Sequence, residues 1–158
     1  MDGLGAMSRK RQTGIMKNRG DKPDVRRQRV SSPEPPASCS VELRKTFQFE
    51  AAHLLPHLPK LHKCRRLHGH SFKVEIAVAG ECDRKLGWLM DYAGISRPFM
   101  PLWEKLDHSY LNEIPGLENP TSEMIAIWIW KRLKPGLPLL TEVVVAETCT
   151  ARCVYRGL

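Results

Sequence analysis

Residues 72–80 read Phe-Lys-Val-Glu-Ile-Ala-Val-Ala-Gly. Phe72, Val74, Ile76 and Val78 alternate with Lys73, Glu75, Ala77 and Ala79, the period of two that puts an apolar face on a half-buried strand. Gly80 ends the run. Upstream, Leu43, Lys45, Phe47 and Phe49 fall on one side of a second alternating run that reaches His53. The spacing predicts two strands, paired as an antiparallel hairpin across a long loop, residues 54–67, rich in Pro, His and Lys.

Downstream the period changes. Asp91 is placed to cap a helix running to about Leu106, and Pro98 and Pro101 inside that span predict a kink or a late start. A second helix is expected with Asn119 as cap and Pro120 in its first position, ending near Lys134 before Pro135-Gly136. Its stretch Met124–Trp130 is apolar all round, which predicts burial on more than one side and packing against another subunit. Val143, Val145 and Glu147 alternate as a third strand, and Cys153–Tyr155 gives a fourth. The order ββααββ places the chain in the α+β class.

The chain has 158 residues, enough for one domain with a real core. Its net charge of +8 is uneven. Residues 1–40 hold nine Lys/Arg and four Asp/Glu, a net +5, and the other 118 hold sixteen and thirteen, a net +3. Residues 1–40 are expected to form a disordered basic extension, poor in large apolar residues. They offer no aromatic residue for base stacking, which argues against nucleic-acid binding. Residues 41–158 form the folded domain. No apolar run is long enough to cross a bilayer, and the first residues lack the apolar centre of a signal peptide, so a cytoplasmic protein is expected. Five cysteines, an odd and unevenly spaced set, argue for reduced thiols.

The chemistry concentrates upstream of the Phe72 strand, where residues 64–70 read Cys-Arg-Arg-Leu-His-Gly-His. On an extended backbone His68 and His70 share one face, and His53 joins them from the neighbouring strand. Three neutral imidazoles with an open fourth position describe a catalytic zinc site; a surface histidine pair without metal is the reading against it. His57 and His62 are expected to be solvated. Cys64 lies beside Lys63, Arg65 and Arg66, a setting that favours thiolate. It suits a general base or nucleophile, or else a fourth zinc ligand that would close the site. Cys149 and Cys153 are expected as buried thiols and not as a metal pair. Asp107 beside His108 suits a carboxylate-oriented proton shuttle. Glu147 follows an apolar run, where a carboxylate is either paired for structure or receives two parallel N–H donors from a guanidine-like ring edge.

Five ordered motifs carry a resemblance. They are Phe49-Glu50-Ala51-Ala52-His53, Cys64-x-x-x-His68-Gly69-His70, Leu106-Asp107-His108, Glu118-Asn119-Pro120-Thr121-Ser122-Glu123 and Glu147-Thr148. Together they resemble the 6-pyruvoyl-tetrahydropterin synthase superfamily over roughly residues 44–157. The Cys64-to-His68 spacing is closest to its 6-carboxy-tetrahydropterin synthase branch, which serves queuosine formation. The resemblance implies a tunnelling fold, a four-stranded antiparallel sheet with two helices on one face, assembled as a homo-hexamer of two trimers with active sites between subunits. It implies Zn²⁺ on His53, His68 and His70, with Cys64 as general base and Asp107 and His108 as its proton relay. Glu147 would anchor the pterin ring, and Thr121 and Ser122 would touch it from an adjacent chain. The implied substrate is 7,8-dihydroneopterin triphosphate. The implied products are 6-carboxy-5,6,7,8-tetrahydropterin, acetaldehyde and triphosphate, or a 6-pyruvoyl product in the sister branch. Lys63, Arg65 and Arg66 are either triphosphate ligands or a solvated basic loop. A non-enzymatic zinc-stabilised module is the reading from another class.

Overall fold

The structure, a computed structural model, describes residues 38–157. The extension expected over residues 1–40 thus lies almost wholly outside the described residues. Strands β1 (Ser40–His53) and β2 (His68–Glu81) pair antiparallel without a break from Ser40↔Glu81 to His53↔His68. Helix α1 (Ala93–Leu106), the short β3 (Ser109–Tyr110), helix α2 (Ser122–Leu133), β4 (Leu140–Ala146) and β5 (Cys153–Tyr155) follow. The sheet order is β3-β1-β2-β4-β5. Among the described residues no helix is long and apolar enough to cross a membrane.

Alternation along the strands assigns the two faces. Phe49, Phe72, Val74, Ile76, Val143 and Val145 point to one side and are buried there. Ile95, Phe99, Leu102 and Leu106 of α1 and Ile125, Ala126, Ile129 and Leu133 of α2 complete the same core. Both helices therefore cover one face, and the fold is α+β as expected. The other face is polar. Arg44, Ala77 and Glu142 stand abreast on β1, β2 and β4. The small Ala77 lets Arg44 reach across it to Glu142 at 2.7 Å, while Arg156 takes the second carboxylate oxygen at 2.7 Å. Glu142 is thus a buried carboxylate held between two guanidinium groups.

Three local features differ from the expected layout. A fifth strand, β3, pairs parallel with Ala51–Ala52 at the sheet edge. Two residues carry no period to read. The strand arises because His108, in a left-handed conformation with φ 54°, turns the chain and donates its amide to the Glu50 carbonyl at 2.6 Å. Helix α1 runs unbroken through Pro98 and Pro101, each of which removes a helical donor. Neither proline lies on the buried stripe, Pro101 being exposed and Pro98 half-buried, so the core packing of α1 is kept.

The cap of α2 is Thr121, whose Oγ1 accepts from the Met124 amide at 3.3 Å, and not Asn119. Pro120 is left outside the helix with its carbonyl free for another use. Both tryptophans of α2 find partners within the chain, while Met124 is 40% exposed and Ile127 is half-buried. Trp128 donates to the Pro115 carbonyl at 3.0 Å and lies under the Arg132 guanidinium. Trp130 meets the edge of Tyr155 at 5.5 Å and packs on Gly157, where φ is 76° and a Cβ would collide with the indole. The loop before the helix and the C-terminal strand thus cover Trp128 and part of Trp130.

Candidate active site

The register of β1 against β2 builds the histidine cluster. His53 stands directly opposite His68, and His70 is two residues on, opposite Ala51. The Ala51 methyl leaves room where a fourth large side chain would otherwise stand. Ring centroids lie 4.5 Å (His53–His68), 5.0 Å (His68–His70) and 5.2 Å (His53–His70) apart. The ligand nitrogens of all three lie within 4.8 Å of one another. Phe72 meets His53 and His70 edge-on at 5.5 and 5.6 Å and stacks on Phe49, so the cluster rests on an aromatic floor.

Hydrogen bonds decide which nitrogen is offered. His53 Nδ1–H donates to the Pro120 carbonyl at 2.8 Å, and His68 Nδ1–H donates to the Arg66 carbonyl at 2.7 Å. A carbonyl only accepts, so both protons sit on Nδ1 and both Nε2 lone pairs are free. His53 Nε2 is buried and has no partner. A buried acceptor left bare is costly, and a cation removes the cost. Burial pushes the His53 pKa down, against the Pro120 bond and the charge of Glu147, so the ring is held neutral, the form that ligates. Imidazole donors alone favour zinc and its transition-metal neighbours over magnesium or calcium. Tetrahedral zinc with nitrogen at about 2.0–2.1 Å needs ligand nitrogens roughly 3.4 Å apart. The cluster reaches that by side-chain movements on the order of 1 Å.

Around it the loop 54–67 is tied down. Asn112 clamps the residue after His53, accepting the Leu54 amide at 2.9 Å and donating to the Leu54 carbonyl at 2.8 Å. Nothing in the sequence singled Asn112 out. Cys64 sits in a single 3-10 turn, Lys63–Arg65, whose amide donates to His62 Nδ1 and whose carbonyl accepts from Leu55. Its thiol is half-buried and does not join the metal-ligand group. Arg65 Nη1 donates to the Pro56 and Leu58 carbonyls at 2.6 and 2.7 Å, which ties the loop together. His57 and His62 are exposed. Cys149 is exposed too, not buried as expected, because it follows the end of β4 in the turn before β5, whereas Cys153 is half-buried on β5 and desolvation raises its pKa.

Asp107 closes α1 and His108 follows. Asp107 Oδ1 accepts the Glu50 amide at 2.9 Å and Oδ2 accepts His108 Nδ1–H at 2.8 Å. The Glu50 amide and then His108 hold the Asp107 carboxyl below the usual aspartate range. His108 is 79% exposed, and its Nε2 is left as the free acceptor. It borders an open groove of about 560 Å³ together with Glu50, Ala52, His70 and Ser71. His70 therefore belongs both to the histidine cluster and to the groove in front of the dyad. On another side, Glu147 and Ser122 line one cavity of about 230 Å³ with Thr148, Arg152 and Cys153. Glu147 and Ser122 meet here within a single chain. Thr121 does not line this cavity, its hydroxyl serving as the α2 cap.

A family model described as 6-pyruvoyl tetrahydropterin synthase matches residues 42–158. A Synechocystis protein named 6-carboxy-5,6,7,8-tetrahydropterin synthase is 47% identical over 117 residues, 70% of this chain and 89% of that protein. A Pyrococcus furiosus protein named dihydroneopterin monophosphate aldolase is 39% identical over 90 residues, 57% of this chain and 72% of that one. The solved structure of Caenorhabditis elegans 6-pyruvoyl tetrahydropterin synthase matches at a TM-score of 0.69 and 26% identity, over 76% of this chain and 97% of its own.

Proposed function

Because the chain belongs to the 6-pyruvoyl tetrahydropterin synthase family, we propose that it is a zinc-dependent lyase of the 6-carboxy-tetrahydropterin synthase branch. The reaction takes 7,8-dihydroneopterin triphosphate and water to 6-carboxy-5,6,7,8-tetrahydropterin, acetaldehyde and triphosphate, a step toward 7-deazaguanine nucleosides such as queuosine. The observation that carries this reading is the buried, unpartnered Nε2 of His53, facing His68 and His70 on a tied-down scaffold. The 47% identity to the Synechocystis relative supports the carboxy branch in particular.

His53, His68 and His70 are the residues that hold Zn²⁺. Bound there, zinc supplies Lewis-acid polarisation of the hydroxyls on the substrate side chain. Cys64 removes a proton from that side chain as general base. His108, with Nδ1–H fixed on Asp107, relays the proton through its free Nε2. Glu147 receives the 2-amino and N3 hydrogens of the pterin as a bidentate pair, and Ser122 borders the same cavity. Thr121 sets the position of Ser122 by capping α2. Leu61, 99% exposed, and Leu67, 64% exposed, lie on the Cys64 loop and support a homo-hexamer in which a neighbouring chain covers it. We place the enzyme in the cytoplasm.

The test is to incubate zinc-loaded protein with 7,8-dihydroneopterin triphosphate, identify the pterin by mass, and assay acetaldehyde in parallel. A 6-carboxy pterin with equimolar acetaldehyde is the expected outcome. A 6-pyruvoyl product moves the protein to the sister branch. No turnover by zinc-loaded hexamer overturns the substrate assignment, and 7,8-dihydroneopterin monophosphate is then the next compound to offer.

A further inference from the structure

The β1–β2 ladder has a second end, far from the histidines. Ser40 pairs with Glu81 there, and one step further Cys39 stands opposite Cys82, whose amide donates to the Cys39 carbonyl at 2.7 Å. The two sulfurs lie 2.8 Å apart and both residues are half-buried. Residues directly opposite in an antiparallel pair have Cα atoms about 4.5–5.5 Å apart, inside the span a disulfide bridges. The sulfurs need to approach by less than about 1 Å to reach the bond length near 2.05 Å. All five cysteines are free thiols in this structure, and no other pair of them has its sulfurs in contact among the described residues.

We propose that Cys39 and Cys82 are a redox modification site, forming a reversible cross-strand disulfide that staples the start of β1 to the end of β2. The oxidant is a low-molecular-weight disulfide, such as glutathione disulfide. The Cys39 thiolate attacks one of its sulfurs, forming a mixed disulfide and releasing one thiolate. The Cys82 sulfur then attacks Cys39, forming the Cys39–Cys82 bond and releasing the second thiolate. The two thiol protons go to the two released thiolates, so two hydrogens leave the protein and the oxidant is reduced to two thiols. The hydrogen bond to Cys39 pushes the Cys82 thiol pKa up to about 11.

The staple closes a segment with its ends 43 positions apart, which removes freedom from the unfolded chain. It lies at the end of the 14-residue strands away from His53 and His68, so it leaves the metal site as it was. The full chain, equilibrated with glutathione disulfide or with excess reduced glutathione, is compared by intact mass, by peptide mapping without reduction, and by thermal melting. The expected result is a loss of two hydrogens per chain, a crosslinked peptide pair containing Cys39 and Cys82, and a Tm raised on the order of 10 °C. The gain disappears in Cys39→Ser and in Cys82→Ser and persists in Cys149→Ser. Zinc content is the same in both redox states, so the outcome does not depend on the pterin assignment. Free Cys39 and Cys82 after equilibration, or a crosslink that instead joins Cys149 or Cys153, overturns the proposal.

Discussion

The two ends of the β1–β2 ladder share one backbone geometry and differ in what their side chains leave undone. At the Ser40 end the two thiols answer each other, Cys39 Sγ to Cys82 Sγ. At the His53 end the outer nitrogens of His53 and His68 are satisfied by carbonyls, while the inner nitrogen of His53 is buried with nothing to accept from. A buried acceptor without a partner costs stability, and a bound cation would remove that cost at His53. The difference separates a terminus whose side chains answer each other from one whose three imidazoles could hold a metal ion.

Breaking the unfinished end has the largest expected effect. His53→Ala removes one of three ligands and the link to Pro120, and bound zinc, measured by metal analysis of purified protein, falls from about one per chain to near none. Pterin turnover disappears with it. Cys64→Ala sharpens the contrast: zinc stays and kcat falls about 10²–10⁴-fold, as for loss of a general base. Loss of metal in that variant would show that Cys64 is a ligand after all.

Asp107→Asn comes next, with kcat reduced on the order of 10–100-fold because His108 loses the acceptor that fixes its tautomer. The same carboxylate has a pH signature. Its pKa is lower in the folded protein than in the unfolded chain, so its stabilisation is present above the unfolded value, about 3.9, and is lost as pH falls through the folded one. The stability difference between wild type and Asp107→Asn, measured by denaturant titration, therefore narrows as the pH drops below about 4. The smallest effect is expected for Thr121→Ala, a loss of about 1 kcal/mol in unfolding free energy through the α2 cap. An unchanged KM there restricts Thr121 to capping, and a raised KM gives it a substrate contact as well.

Much of this was legible in the residues. The period of two along Phe72–Val78 and Leu43–Phe49 yields both long strands, and that pairing alone puts His53 beside His68 and His70. What stayed hidden has a common physical origin in the backbone. The carbonyls of Pro120 and Arg66, which set the imidazole tautomers, belong to no residue type. The strand β3 is too short to have a pattern, and its cause is a left-handed turn at His108 that a non-glycine residue does not announce. Asn112 clamps Leu54 from 58 positions away, a pairing no local window contains. The preference of Pro for a first helical position points to Asn119 as the cap of α2, whereas Thr121 caps it and the Pro120 carbonyl, outside the helix, accepts from His53.

The central place of β2 also has a consequence for synthesis. Its first partner, β1, has already emerged when β2 leaves the ribosome, but its second, β4, is made only after both helices. Ile76 waits for Val143, and Val74 for Val145. Until then the backbone of β2 over Lys73–Val78 has no partner on that side, the kind of edge to which a foreign strand can add. Lys73 and Glu75 sit on the same stretch. In the finished sheet they are the polar half of an alternation; on the ribosome they are the charges that keep that edge from being claimed too early.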